Sequence, residues 1–402
     1  MVEAYRLVKG NKGAGGVDAE TIEMFEIDLK DNLYKIWNRM SSGSYFPPPV
    51  RLVEIPKSDG GKRTLGIPTV SDRVAQMVVK MYLEPKVNKC FHEDSYGYRP
   101  GKSGLEAIGT TRKRCWKWDW VIDLDIKGYF DNIDHELMMA AVKKHTEENW
   151  VLLYIERWLK ASGQTAEGEE ILRTKGTPQG GVISPLLANL FLHHAFDEWM
   201  QKEFSSLLFE RYADDIIVHC KTEKQAQYMV ERIRERLKQC KLILHPEKTK
   251  IVYCKDDNRK GDGKVTSFDF LGYTFKPRLA KGKRGQFFKG FLPAVSSKAQ
   301  KEIRNNIRRW KLTTLTSLSI KEIAEKINPV IRGWMNYYGM YHRSELKRVL
   351  NQVDLALAKW ATRKFKKLHR AWVKSTRWVN AVYMREPTLF AHWAWKSIRI
   401  EQ

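Results

Sequence analysis

The chain has 402 residues, of which 43% are hydrophobic and 29% charged, and its formal net charge is +24. This composition is typical of a globular protein of two or three domains and excludes a disordered chain. No apolar run approaches the roughly 20 residues of a membrane helix, no signal peptide opens the sequence, and the 5 cysteines form no CxxC pair. We therefore expect a cytoplasmic protein with no membrane partner, disulfide framework or zinc finger.

The positive charge is concentrated in one part of the sequence. Residues 276–402 contain 29 Lys/Arg and 7 Asp/Glu, whereas residues 1–275 contain 42 and 40. Because unpaired positive charges repel one another, so uneven a distribution favours a nucleic-acid partner over a merely solvated surface. The basic segment is also rich in Trp and Tyr, whose rings can stack on unpaired bases.

Hydrophobic periodicity, turn residues and capping residues predict the elements of the first half of the chain. In chain order these are helices within residues 1–45 around a Gly-rich turn at 10–16, a β-hairpin with strands at 50–55 and up to 65, a helix at 73–83 that Pro85 ends, a strand at 120–126, a helix capped by Asp134, and a helix at 150–160.

The same signals continue through the second half. They predict a Gly/Pro loop at 176–181, a long helix from Ser184, a β-hairpin at 207–220, an amphipathic helix at 223–241, strands at 242–244, 250–254 and 268–275, and a basic, Gly-rich connector at 277–290. We place the domain boundary at this connector. From residue 296 the pattern is helical, with breaks at 313–319 and at Pro329.

Two groups of carboxylates are candidates for chemistry. Asp123 and Asp125 share one face of the strand predicted at 120–126, and Asp214 and Asp215 occupy a tight turn between apolar strands. Either group alone is a weak signal, since Asp favours turns. Adjacent like charges beside apolar strands are costly unless a cation neutralises them. Nucleotidyl transfer uses carboxylates that hold two divalent metals about 4 Å apart, and oxygen ligands suit Mg²⁺.

The order of motifs resembles that of the reverse transcriptases encoded by bacterial group II introns, also called intron maturases. The matching segments are residues 11–18, IPK at 55–57, LGIP at 65–68, YGYRP at 96–100, DIKGYFD at 125–131, GTPQGG at 176–181, SPLLAN at 184–189, YADD at 212–215, KTK at 248–250, FLGY at 270–273 and NPVIRGWMNYY at 328–338. The resemblance implies an α+β right-hand polymerase, with fingers and a palm built on an antiparallel sheet, followed by an α-helical thumb.

The resemblance also implies a domain plan. Residues 1–285 would form the fingers and palm, with an N-terminal extension at 1–45, and 286–375 the thumb or maturase domain. Residues 376–402 would be a basic tail, the remnant of a DNA-binding region. Many family members also carry an HNH endonuclease with cysteine pairs, which this sequence lacks. Its histidines, among them His193 and His194, are scattered without metal-ligand spacing, so we expect no second-strand cleavage.

Roles follow by position in these motifs. Asp125, Asp214 and Asp215 would be the catalytic metal ligands, whereas Asp123 would have a local hydrogen-bonding role, because the family spacing to the ring of Phe130 selects Asp125. Phe130 would leave no room for a ribose 2′-hydroxyl. Contacts to the incoming nucleotide, its pyrophosphate and the template would come from Lys57, Arg63, Phe130, Gln179, Gly180, Gly181 and Lys248.

The basic C-terminal segment would bind RNA. Trp334, Tyr337 and Tyr338 can stack on bases, but helical spacing favours core positions for them. Phosphate contacts are therefore assigned to Arg332, Arg363, Lys364, Lys366 and Lys367.

The resemblance implies an RNA-directed DNA polymerase, dependent on Mg²⁺ at a two-metal site, that also helps a group II intron to splice and to move by target-primed reverse transcription. Its partners would be the intron RNA, an RNA template with a DNA primer, deoxynucleoside triphosphates and target DNA, and it would act as a monomer or dimer. One alternative is an RNA-binding splicing cofactor without polymerisation. Another is a domesticated reverse transcriptase of phage defence, CRISPR spacer acquisition or DNA repair.

Overall fold

A computed structural model describes residues 1–56, 61–282 and 285–396. The chain divides into two compact units. Unit 1 comprises Met1–Thr111 and Trp120–Ile251, and unit 2 comprises Arg112–Asp119 and the chain from Val252 onwards. The change in composition near residue 285 therefore lies within unit 2 and does not coincide with this division.

Unit 1 combines helices with two small sheets. Its helices are α1 (Val2–Asn11), α2 (Ile22–Ile27), α3 (Leu29–Ser41), α4 (Val70–Asn88), α5 (Gly104–Cys115, whose last turn lies in unit 2), α6 (Tyr129–Asn132), α7 (His135–Lys143), α8 (Asn149–Lys160), α9 (Ser184–Leu192), α10 (Glu198–Glu203) and α11 (Glu223–Gln239). A π-helical turn, His193–Asp197, joins α9 to α10. Its strands are β1 (Val50–Pro56), β2 (Lys62–Ile67), β3 (Trp120–Leu124), β4 (Gly163–Gln164), β5 (Glu170–Ile171), β6 (Phe209–Tyr212), β7 (Asp215–Cys220) and β8 (Lys250–Tyr253), the last crossing into unit 2.

The two sheets have the strand orders β2-β1-β4-β5 and β6-β7-β3-β8. In the second sheet, β7 is antiparallel to both β6 and β3. Buried apolar side chains of α4, α9 and α11 form one hydrophobic core with those of β3, β6 and β7. This sheet, with helices packed against it, positions the candidate carboxylates.

Unit 2 begins with a three-stranded sheet and continues as helices. Its elements are β9 (Phe268–Phe270), β10 (Tyr273–Lys281), β11 (Phe287–Val295), α12 (Ser297–Arg309), α13 (Ile320–Tyr338), α14 (Arg343–Lys364) and α15 (Trp372–Arg385), with 3₁₀ turns at Leu312–Thr314, Lys366–Leu368 and Ala391–Trp395. The helices share a second hydrophobic core, in which Trp360 and Trp393 are buried. The helical C-terminal region and the α+β class are as predicted.

Local signals predicted several helix starts correctly. Asp134 caps α7, accepting a hydrogen bond from the backbone N–H of Leu137 at 3.0 Å, and Pro185 lies in the first turn of α9. Such residues satisfy or avoid the unpaired N–H groups at a helix start.

Both predicted proline breaks were wrong. Pro85 lies inside α4, and Pro329 lies inside α13. A proline in a helix interior costs about 3 kcal/mol. Burial on both sides of each proline offsets that cost: Leu83 and Val87 flank the first, and Ile327 and Ile331 flank the second.

The predicted strand at 268–275 and connector at 277–290 were also wrong. Leu271 and Gly272 have φ values of +50° and +78°, and this turn separates β9 from β10. β10 and β11 then pair as a long antiparallel hairpin, from Tyr273↔Val295 to Lys281↔Phe287. The Lys, Arg and Gly residues that suggested a connector are compatible with a sheet whose outer part is exposed. Among the described residues, no helix has the length and apolar character to cross a membrane.

Candidate active site

The candidate catalytic turn connects β6 to β7. Tyr212 pairs with Asp215, so Ala213 and Asp214 form the turn between them. Ala213 has a φ of +56°, a left-handed conformation that few non-glycine residues adopt. On the neighbouring strand Leu124 pairs with Ile216. The next residue, Asp125, therefore leaves the sheet beside the start of β7.

A cavity of about 330 Å³ opens at this turn, a volume at the lower end of the range for small-molecule sites. Seven of the residues assigned from the sequence line it: Arg63, Asp125, Phe130, Gln179, Gly180, Asp214 and Lys248. Others that line it include Tyr98, Asp131 and Ser184. The cavity therefore brings together residues spread over nearly 190 positions of the sequence, counted from Arg63 to Lys248.

Two other assigned residues lie outside this lining, and a third cannot be placed relative to it. Asp215 is exposed at the start of β7, and neither it nor Gly181 is among the residues that line the cavity. Lys57 lies outside the described residues. Asp123 pairs with Ile217 inside the sheet and is also not among the lining residues, in contrast to Asp125 two positions later.

The charges around Asp214 shift its pKa. Burial raises the pKa of this carboxyl, and the negative charge of Asp125 raises it further, against the opposing effects of a backbone N–H, Arg63 and Arg211. On the other side of the cavity, the Nζ of Lys248 lies 3.3 Å from Oδ2 of Asp125. A buried carboxyl beside a second carboxylate is a donor set that a divalent cation would stabilise, so the residues present fit such an ion.

Backbone contacts bring Lys248 to this position. The N–H of His245 donates to the carbonyl of Asp125 at 2.7 Å, and Ile126 forms an isolated β-bridge with Leu244. These contacts anchor the segment that leads to Lys248 beside β3.

The loop before α9 is fixed against β2. The N–H of Gly66 donates to the carbonyl of Gln179 at 2.8 Å. Gly180 has a φ of +124°, and a Cβ there would lie 2.7 Å from the carbonyl oxygen of Gly66. Only glycine fits this combination of conformation and close approach. The side-chain amide of Gln179 donates to Asp131 at 3.0 Å. This bond connects the loop to α6, the helix that also contains Phe130.

A buried ionic network beneath the β6–β7 turn was not anticipated from the sequence. The guanidinium of Arg211 donates to both carboxylate oxygens of Asp197, at 2.7 and 2.6 Å. It also donates to Oδ1 of Asn189 at 2.5 Å and to the carbonyl of Ala213 at 3.2 Å. The side chains of Arg211 and Asp197 are fully buried. The one available signal was an arginine, next to Glu210, in the short strand directly before the Tyr-Ala-Asp-Asp motif.

The YGYRP segment packs against the same turn. A Cβ at Gly97 would lie 2.4 Å from the backbone nitrogen of Ala213, so the two backbones approach too closely for any side chain. The amide of Asn189 donates to the carbonyl of Gly97 at 2.8 Å. Tyr98 adopts a φ of +55° and lines the cavity, where burial and then the charge of Asp214 raise its pKa.

In unit 2, the side chains assigned to RNA have different surroundings. Those of Arg332, Arg363, Lys366 and Lys367 are exposed. Lys364 instead donates to the carbonyls of Thr316 and Leu318, at 2.8 and 2.7 Å, so its ammonium group stabilises the unit itself.

The aromatic side chains of the NPVIRGWMNYY segment are half-buried. Trp334 stacks on Trp310 at a centroid distance of 5.6 Å, and the hydroxyl of Tyr337 donates to the carbonyl of Leu271 at 2.8 Å. Tyr338 packs close to Gly272. These contacts agree with the core positions that helical spacing favoured.

Comparison with known proteins identifies the class of enzyme. The reverse transcriptase (RNA-dependent DNA polymerase) family matches residues 55–275, which is more than half of the chain. The fold agrees: a solved structure of telomerase from Candida albicans, in complex with a telomeric RNA fragment, covers 93% of this chain at a TM-score of 0.50, and 68% of that chain is covered. At 11% sequence identity this likeness concerns the fold alone.

A second family model specifies the kind of reverse transcriptase. The maturase-specific domain of group II introns matches residues 300–378. Protein YkfC of Escherichia coli K12 is 32% identical over 348 residues, covering 76% of this chain and 86% of that protein. The group II intron-encoded protein LtrA of Lactococcus lactis is 32% identical over 260 residues, which are 64% of this chain and 41% of that protein. The chain therefore belongs to the group II intron reverse transcriptase/maturase family.

Family membership confirms the resemblance, the polymerase fold and the class of enzyme predicted from the motifs. Polymerases of this family generally use divalent metals, and their domains imply nucleic-acid partners.

Proposed function

We propose that this protein copies an RNA template into DNA at the cavity between β2, β3 and the β6–β7 turn, and that it serves a group II intron RNA in splicing and mobility. The observation that carries the proposal is the meeting of Asp125, Asp214 and Arg63 in one cavity with the ring of Phe130. Carboxylates for metal, a cation for phosphate and an aromatic wall are the parts that nucleotidyl transfer to a deoxynucleotide requires.

Asp125 and Asp214 would hold the catalytic Mg²⁺, with Asp215 at the adjoining position of the turn. When bound, divalent ions activate the primer hydroxyl and neutralise the charge of the leaving pyrophosphate. The geometry for in-line attack would then depend on how firmly the turn is held. Arg211, through its bond to the carbonyl of Ala213, is the side chain that supports it from below.

The remaining lining residues would bind and select the nucleotide. Arg63 would bind the triphosphate with its guanidinium fork, aided by Lys57. Phe130 would exclude a 2′-hydroxyl. The backbone of Gln179, Gly180 and Gly181 would let nucleotide and template approach closely. Lys248 would release Asp125 when metal binds and donate a proton to the leaving pyrophosphate.

The maturase role rests on the match of residues 300–378 and on the basic surface of unit 2. We infer that residues 1–285 act as fingers and palm and 286–375 as thumb and maturase domain, whose core also includes side chains of the following segment up to Trp393. The intron RNA would bind through phosphate contacts that include Arg332, Arg363, Lys366 and Lys367. An RNA template with a DNA primer, deoxynucleoside triphosphates and target DNA would be the other partners.

The decisive experiment is primer extension on an RNA template with deoxynucleotides and Mg²⁺. Asp125→Asn should reduce the rate by about 10³-fold or more, because a direct metal ligand is lost. Asp123→Asn is the matched control, since it removes a carboxylate two positions away on the same strand that does not line the cavity. Equal losses in the two variants would contradict the assignment of the site.

The same assay separates the alternatives. If the wild-type protein makes no DNA yet binds a structured intron RNA tightly, the splicing-cofactor function is correct and the polymerase proposal fails. If it makes DNA but gives no preference to intron RNA over unrelated RNA, the intron association fails while the polymerase proposal stands.

A further inference from the structure

A second cluster of metal-binding side chains lies at the π-helical turn between α9 and α10. One ligand atom from each of His193, His194 and Glu198 lies within 4.8 Å of the other two. Nε2 of His193 is 3.5 Å from one oxygen of Glu198, and Nδ1 of His194 is 2.7 Å from the other. None of these residues lines the cavity that holds Asp125 and Asp214.

The π turn accounts for this convergence. On an α-helix, consecutive side chains point about 100° apart, and a residue five positions on does not lie on the same face. The wider turn at His193–Asp197 changes this register, so that both histidines reach Glu198. π turns of this kind occur frequently at functional sites, because they disturb regular hydrogen bonding. Sequence spacing alone gave no indication of the cluster.

The second ring nitrogen of His194 has a hydrogen-bond partner, and that of His193 lies near a carboxylate without bonding to it. Nε2 of His194 is 2.8 Å from Nε2 of His145, and Nδ1 of His193 is 3.8 Å from the buried carboxylate of Asp197. Histidines that bind metals characteristically direct their other nitrogen at a carboxylate or another hydrogen-bonding group, which fixes the tautomer and the ring orientation. The arrangement around His194 has this form, whereas Nδ1 of His193 is buried without a hydrogen-bond partner.

The two histidines of the cluster are buried and the glutamate is partly exposed, a combination that suits a bound ion. The side chains of His193 and His194 are 6% and 12% exposed, whereas that of Glu198 is 47% exposed. The imidazoles are thus held by the core, and the carboxylate provides a path from solvent.

We propose that His193, His194 and Glu198 bind a transition-metal ion of the Zn²⁺ class, with His145 orienting the imidazole of His194. Two imidazoles and one carboxylate suit Zn²⁺, Co²⁺ or Ni²⁺ far better than Mg²⁺. Ligand atoms about 2.0–2.2 Å from one ion lie about 3.3 Å apart in a tetrahedron, so small side-chain rotations bring the three together. Three protein ligands leave a fourth position for water.

The test is a titration of the full chain with Co²⁺ in excess Mg²⁺, followed by the visible absorption of the bound ion and by its displacement with Zn²⁺. We expect one saturable ion per chain. His194→Ala and Glu198→Gln should each weaken binding at least about tenfold. Glu198→Gln keeps a hydrogen-bond acceptor for His194 on a half-exposed side chain, so it tests the site even if the histidine variant folds poorly.

Two controls define the site. His369→Ala removes an exposed histidine of unit 2, and Asp125→Asn/Asp214→Asn removes carboxylates of the catalytic cavity. Both should bind Co²⁺ with wild-type affinity. Absence of saturable binding, or the same affinity in Glu198→Gln as in the wild type, would overturn the proposal. Loss of binding in the Asp125→Asn/Asp214→Asn variant would also overturn it, because the ion would then lie at the polymerase site.

Discussion

Asp123, Asp125 and Asp214 are chemically identical side chains with different surroundings. Asp123 is paired within the sheet, Asp125 lies at a cavity edge beside the ammonium group of Lys248, and Asp214 is partly buried at the turn. The sequence alone could place Asp123 and Asp125 on one face of the strand predicted at 120–126, although β3 ends at Leu124. Selecting Asp125 as the metal ligand required the family spacing to Phe130. The alternation of side chains along a strand does not indicate at which residue the strand ends.

The raised pKa of Asp214 predicts a conflict between function and stability. Because the folded protein holds this proton to a higher pH than the unfolded chain, the contribution of Asp214 to stability falls as pH rises from its ordinary value of 3.8 through its folded value. At pH 7 the ionised carboxylate therefore destabilises the fold. Asp214→Asn should raise the Tm at pH 7, by about 2–4 °C for each kcal/mol regained, while polymerisation is lost.

This expectation can be checked by calorimetry at pH 7 and at a series of lower pH values. The gain should shrink as the pH falls, and it should vanish below the ordinary pKa of 3.8, where Asp214 is protonated in both states. Mg²⁺ should stabilise the wild-type protein more than the variant, since the ion relieves the same repulsion. A Tm at pH 7 below that of the wild type would show that the carboxylate stabilises the turn.

The buried ion pair beneath the turn predicts a different response. Arg211→Met leaves Asp197 as an uncompensated buried charge, which should lower the free energy of unfolding by about 3–5 kcal/mol. Arg211→Met/Asp197→Leu removes both charges and should recover most of that loss. Urea unfolding of the two variants measures the difference, and equal destabilisation in both would show that the unpaired charge is not its source.

At the scale of elements, Gly180 lies where the loop before α9 meets the backbone of β2. Gly180→Ala combines a strained conformation with a Cβ placed 2.7 Å from the carbonyl of Gly66. It should lower stability by about 1–3 kcal/mol and raise the KM for deoxynucleotides, because the loop must move off β2.

Gly333→Ala is the matched control. Gly333 lies inside α13, with no atom within 4 Å of an added Cβ. Alanine there should stabilise the helix by about 0.5–1 kcal/mol. A comparison of unfolding free energies and deoxynucleotide KM values for the two variants tests both expectations, and an unchanged KM in Gly180→Ala would separate this loop from the nucleotide site.

Elements with strong local signals could be predicted, and those that depend on distant contacts could not. The capping side chain of Asp134 and the apolar periods of α8 and α11 are local properties of the chain. The continuation of α4 through Pro85 depends on burial against the rest of unit 1, which no local pattern contains. The β10–β11 hairpin was missed because its basic and glycine residues are typical of loops, whereas its pairing partner lies up to 22 positions away.

In the candidate site, too, residues with local motifs could be predicted and those that depend on distant contacts could not. Its carboxylates, Arg63, Phe130 and the glycine loop could be located through motifs. The contact of Arg211 with Asn189 and Asp197, 22 and 14 positions earlier, depends on how α9 and the π turn lie under the strand. A one-residue change of helical register, as at the π turn, has no sequence signature that hydrophobic periodicity can detect.

At the scale of the whole molecule, the excess charge of residues 276–402 should control RNA binding. Replacement of Arg332, Arg363, Lys366 and Lys367 by Gln should weaken binding to a structured RNA. It should also reduce the magnitude of the slope of log K against log salt concentration by about 3. The variant makes fewer phosphate contacts, and therefore fewer counterions are released when the RNA binds. Filter binding over a range of salt concentrations measures the slope.

A matched variant uses four exposed cations of α11 in unit 1, Lys224, Arg232, Arg234 and Lys238. Arg232 and Arg234 already pair with Glu235 and Glu231. Their replacement by Gln changes the net charge equally and should leave the slope close to that of the wild type. Equal slopes for the two variants would mean that overall charge, and not the surface of unit 2, determines RNA binding.

The ion pair of Arg211 and Asp197 also has an evolutionary consequence. Neither residue can be exchanged alone without leaving a charge stranded in the core, and Asn189 and the carbonyl of Ala213 share the same guanidinium. A lineage could therefore abandon this arrangement only by changing several positions nearly together, through intermediates that fold poorly. We expect descendants of this protein to vary freely at the exposed rim of the site while inheriting the support beneath the Tyr-Ala-Asp-Asp turn as a single block.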